Sequence, residues 1–99
     1  MKLITRYKEF DEDEKKSLLD FISDTPIPQK AKVLEYLKSG RDAGVRCSSV
    51  FDYIKNKVIP QTIHLYTDGE YGWDDEEIYH FETYNLELEK NFINRVLQK

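Results

Sequence analysis

The sequence predicts a single α+β domain over residues 1–99: two N-terminal helices, a small three-stranded antiparallel meander, then two C-terminal helices. Three observations predict it. Apolar residues recur at helical spacing on both sides of Thr25-Pro26-Ile27-Pro28. Asp68-Gly69 divides two alternating, strand-like runs. Residues from Ile78 to Leu97 return to a period near 3.6.

Taken in order, residues 1–10 fit either a helical stripe through Leu3, Tyr7 and Phe10 or a short strand beginning at Leu3-Ile4. Asp11 with Glu14 makes a capping pair, and the acids of 11–14 suit the positive end of a helix macrodipole. Leu18, Leu19 and Ile22 follow at helical spacing. The prolines at 26 and 28 end this helix and open the next, since proline is tolerated in a first turn and rejected inside. Ala31, Leu34 and Leu37 line the second helix, and Gly40 after Ser39 reads as a left-handed cap.

Residues 45–54 fit a helix capped by Ser48, with Val50, Tyr53 and Ile54 on one face, or a strand. β-branched and aromatic content and the preceding Gly44 favour the strand. Ile59 to Thr67 alternates, and an Asp-Gly loop of two residues would pair Thr67 with Glu70, Tyr66 with Tyr71, Leu65 with Gly72 and His64 with Trp73. One face then carries Ile63 and Leu65, the other His64, Tyr66, Tyr71 and Trp73. Asp74 or Asp75 caps the third helix, Glu76 and Glu77 sit in its first turn, and Ile78, Phe81, Tyr84 and Asn85 share a face. Residues 85–88 break it. A last helix runs from about Glu89, with Phe92, Ile93, Val96 and Leu97 as its buried stripe.

Composition bounds the function. Of the 99 residues, 39% are hydrophobic and 34% charged, which is a polar surface around a modest core; 13% aromatics argue against disorder. A net charge of −4 disfavours direct nucleic-acid binding. The lone Cys47 rules out an internal disulfide framework. The start lacks the apolar run of a signal peptide and no stretch approaches a membrane span, so a cytoplasmic protein with no membrane partner is expected.

Charge is unevenly placed: residues 1–26 carry net −2, residues 27–60 net +4 and residues 61–99 net −6. Between Lys57 and Lys90 nine carboxylates occur with no Lys or Arg, interleaved with Tyr66, Tyr71, Trp73, Tyr79, Phe81 and Tyr84. Two readings fit equally. Either this is an acidic, aromatic docking surface for a basic partner, or the acids cap a helix and solvate loops while the aromatics fill the core.

No catalytic pattern competes. Asp68-Gly-Glu-Tyr-Gly-Trp-Asp-Asp lacks the ligand alternation of a calcium loop, and His64 and His80 lack companions at zinc-site spacing. Cys47 has no nucleophile-elbow context, and the four glycines are dispersed. The chain is expected to be no enzyme and to use no cofactor or metal.

The stretch from Ile63 to Ile93 resembles small bacterial immunity proteins of polymorphic-toxin and contact-dependent growth inhibition systems. The residues carrying the likeness are Tyr66-Thr67-Asp68-Gly69-Glu70-Tyr71, Trp73, Tyr79, Tyr84-Asn85, Leu88 and Phe92-Ile93, with Asp52 upstream. It departs from the family pattern at Asp74-Asp75 and at Glu89, positions where proline is expected. The resemblance implies a cytoplasmic monomer or weak dimer that binds and blocks a cognate toxin domain, a basic protein such as a nuclease. It implies structural roles for Asp52, Tyr66, Asp68, Gly69, Trp73 and Tyr84. Contacts with the toxin are then expected from His64, Glu70, Tyr71, Asp74, Asp75 and Glu76. The alternative is an acidic adaptor, or an anti-defence or DNA-mimicking module of a mobile element.

Overall fold

A computed structural model describes residues 1–98. Strand β1 (Lys2–Leu3) is followed by a one-turn 3-10 segment (Leu18–Asp20), helix α1 (Lys30–Lys38), strands β2 (Arg41–Asp52), β3 (Lys57–Thr67) and β4 (Tyr71–Asp74), and helices α2 (Asp75–Tyr84) and α3 (Lys90–Leu97). The sheet is mixed, in the order β1-β4-β3-β2, with β1 parallel to β4 and the other pairs antiparallel. The predicted architecture of two N-terminal helices, a three-stranded meander and two C-terminal helices is therefore corrected: there are three helices and four strands among the described residues.

The missing helix is the one expected from Asp11. Residues 11–17 hold no apolar side chain, so a helix there would have no face to bury, and an unburied short helix is marginal in water. Side chains take the backbone instead. Glu9 accepts from Leu18 N–H and Ser17 Oγ, and Asp11 accepts from Asp13 N–H. The ambiguous first residues become the fourth strand, with Lys2 opposite Tyr71 and Leu3 opposite Gly72.

Further on, Ala31 is exposed and Val33 takes its expected place beside Leu37 in the core. Gly40 is not a left-handed cap, because its φ is not positive; it is where the chain passes from α1 directly into β2. The β3–β4 loop is longer than an Asp-Gly pair. Tyr66 lies opposite Trp73 and Thr67 opposite Gly72, because the Asp68 carboxylate accepts from both Glu70 and Tyr71 N–H and so organises a four-residue turn. Only Gly69 needs a positive φ, of 100°. The register differs from expectation by two residues, and an even slip leaves every side chain on its face.

The main core joins Ile4, Val33, Leu37, Tyr71, Trp73, Ile78, Phe81, Leu88, Phe92 and Val96, so all three helices close over β4 and over Ile4, the residue after β1. Phe92 is wholly buried, which alone stabilises by about 3 kcal/mol. A second cluster, Tyr7, Leu18 and Leu86 with Phe10, Phe21, Ile22, Tyr53 and Ile54, holds the irregular N-terminal segment against the end of α2.

Candidate functional site

The expectation of an exposed acidic patch on the hairpin and α2 is corrected by burial. Asp74, Asp75 and Glu76 are each only 5–6% exposed, and Tyr71 lies in the core with its ring 5.1 Å from Phe92. The carboxylates act as acceptors for backbone that no strand satisfies. Asp75 accepts from His64 N–H and Tyr66 OH, Glu76 accepts from Phe51 N–H, and His80 Nε2 accepts from Tyr53 N–H. Helix α2 thus does for the edges of β2 and β3 what another strand would do, since buried N–H groups must find partners. Asp74 caps α2, accepting from Glu77 N–H while its own N–H donates to the Glu77 carboxylate. Arg46 meets Asp74 at 3.0 Å.

Of the six side chains expected to touch a partner, two reach solvent. His64 is exposed, with its ring 6.5 Å from Tyr66, and Tyr66 rather than His64 lies opposite Trp73. Glu70 is half-buried and paired to Lys2 and Arg95.

Burial is the main cause of two shifted carboxyls. Buried Glu77 is pushed up to about 8 by desolvation and then by the Asp74 charge, against the Thr5 hydroxyl and Asp74 N–H that donate to it. Glu76 is raised by burial and Asp74 despite the Phe51 N–H. Desolvation lowers His80, whose Nδ1 lies 2.8 Å from Glu76 O and therefore carries the proton.

The motif residues act within the fold. Asp52 accepts from Tyr79 OH, Tyr84 OH, Ile54 N–H and Lys55 N–H; burial would raise this carboxyl, but the four donors hold it well below the usual range. Asp68 organises its turn and accepts from Tyr36 OH, Tyr66 OH reaches Asp75, and Trp73 Nε1–H donates to Leu37 O. Cys47 is exposed on β2. Among the described residues no group of three or more His, Cys, Asp or Glu side chains is placed to hold a metal, and no helix is long and apolar enough to cross a membrane.

Solvent-facing acids gather elsewhere, on a seam that the sequence reading missed. Segment 20–24 is stitched to segment 84–87 by Ser23 N–H to Tyr84 O at 3.1 Å and Glu87 N–H to Phe21 O at 2.9 Å. Residues 11–24 carry six carboxylates against two lysines, and residues 82–89 carry three against none. Arg6 pairs with Glu89 and Lys38 with Glu82; at the stitch itself Asp20, Asp24 and Glu87 are exposed and, among the described residues, have no ion pair within 4 Å.

Beside the seam lies an apolar groove of about 610 Å³. Phe21, Ile22, Ile27 and Pro28 form one wall, Lys90, Ile93, Asn94 and Leu97 of α3 the other, and Phe81, Leu86 and Leu88 the floor; Asp20 and Glu87 stand on its rim. Its size and lining are those of a binding pocket. One signal in the sequence pointed to it: α3 is apolar at 92, 93, 96 and 97, a wider arc than one packing face needs. Phe92 and Val96 enter the core, leaving Ile93 and Leu97 half-buried at the groove.

No protein-family model, curated protein or solved structure was found to match this chain.

Proposed function

We propose that this chain is an immunity protein that binds and neutralises a cognate bacterial toxin in the cytoplasm, docking through the acidic seam and its groove. The observation that carries the reading is the stitching of segments 20–24 and 84–87, with exposed Asp20, Asp24 and Glu87, beside an apolar groove, while the acids of the first turn of α2 are buried inside the fold. Surface carboxylates beside apolar area speed and orient docking of a positively charged protein. A nuclease toxin must hold phosphates and is basic, so the charges complement. The likeness of residues 63–93 to immunity proteins supports the same role, which is binding rather than catalysis.

Co-expression with the toxin domain encoded beside this chain tests it. Cells survive when the protein is present, and purified partners form a one-to-one complex whose association slows as salt rises. Absence of both protection and complex formation removes the reading.

A further inference from the structure

We infer that the groove beside α3 receives an amphipathic helix from a basic protein partner, anchored by apolar side chains on one face; this rests on the seam being the docking surface. An extended segment would need backbone donors and acceptors along the wall. At the stitch, Phe21 O and Ser23 N–H are already bonded to Glu87 and Tyr84, and Pro26 and Pro28 have no N–H to offer. A strand laid there would bury unpaired peptide groups. A helix brings its own hydrogen bonds and asks the groove only for apolar contact.

The dimensions agree. The α3 wall runs from Lys90 to Leu97, two turns or about 10 Å, which is the axial span of anchors at positions i, i+3 or i+4, and i+7 of a docked helix. Asp20 and Glu87 on the rim, with Asp24 nearby, call for Lys or Arg on the flanks of that helix; the opposing rim charge is Lys90.

The test uses the whole protein and a displayed library of random peptides about 15 residues long, enough for four helical turns. Selection enriches sequences with apolar residues at helical spacing and flanking Lys or Arg, and bound peptides are helical by circular dichroism. Asn94→Trp fills the groove from an exposed position on α3 and weakens these peptides by about tenfold or more, as does the rim reversal Glu87→Lys, while Lys57→Ala on β3 changes nothing. A melting temperature close to that of the parent confirms that each variant folds. Enrichment of alternating, extended sequences, of acidic flanks, or of nothing overturns the inference, and so does undiminished binding to Asn94→Trp. Toxin protection that survives Asn94→Trp also overturns it and leaves the immunity role standing. Groove binding of helical peptides without protection from any toxin upholds it and removes the immunity role.

Discussion

Trp73 packs against the bare α-carbon of Gly40: a methyl group there would lie 2.7 Å from Trp73 Cζ2 and 2.9 Å from Tyr66 Cβ. The indole cannot retreat, because its N–H is bonded to Leu37 O and its ring is buried beside Phe92. Gly40→Ala is therefore expected to cost about 1–3 kcal/mol through overpacking. At Gly72 the added methyl would meet Met1 Sδ, the free end of an exposed side chain that can swing aside. Gly72→Ala should stay within about 0.5 kcal/mol of the parent. Urea midpoints at constant m-value distinguish the two.

Asp52 gathers two hydroxyls on one oxygen, from Tyr79 at 2.7 Å and Tyr84 at 2.6 Å. Each Tyr→Phe change should cost about 1 kcal/mol, and the double change more than their sum, because it strips Oδ2 of its last donor. The folded pKa of Asp52 is depressed, so its contribution is present above the unfolded value near 3.8 and is lost as pH falls through the lower folded value. Asp52→Asn should flatten that acid limb in pH-dependent unfolding.

Glu77 has the opposite sign. Its folded pKa, about 8, exceeds the unfolded 4.5, so the folded state retains a proton that the unfolded chain has released. Its contribution is complete below pH 4.5 and falls as pH rises to 8. Glu77→Gln keeps the capping geometry without a proton to lose. The variant should gain on the parent across that window, by on the order of a few kcal/mol at its upper end. Parallel melts of both proteins across the range measure the gap, and a constant gap would contradict it.

His80 is held neutral with the proton on Nδ1, between Glu76 O and Tyr53 N–H. Its folded pKa is lowered from 6.5, so its contribution is present above 6.5 and is lost as pH falls through the folded value. Long-range proton–nitrogen spectra should show Nδ1–H and a titration midpoint below 6.5.

Buried and surface acids should separate cleanly by assay. Asp75→Ala leaves His64 N–H and Tyr66 OH without an acceptor and should cost about 2–3 kcal/mol, while the folded fraction should bind the proposed toxin partner at the parent rate. Asp20→Lys with Glu87→Lys should leave stability within about 0.5 kcal/mol. The same pair should slow association with the proposed toxin partner about tenfold at low salt, and stopped-flow mixing at two ionic strengths reads this.

Which of Asp74 and Asp75 caps α2, its Glu77 partner and the length of the β3–β4 turn came from the structure; what the sequence determined by itself was local: an acidic helix start at 74–77, a turn at Asp68-Gly69, the helix opening after Pro28, and the separation of charge along the chain. Each is settled by groups within a few residues of one another, so spacing suffices. Tertiary structure decided the rest. Whether Asp11 starts a helix depended on an apolar face that residues 11–17 do not have, and the first strand exists only because the edge of β4 offers its backbone. The acids of α2 looked like surface because charge is usually left in water. They are buried because backbone N–H groups of β2 and β3, distant in sequence, require acceptors at the place where α2 begins. The groove left only a partial trace, the wide apolar arc of α3, because 20–28 and α3 become a cleft only when backbone bonds near Phe21 and Glu87 draw them together.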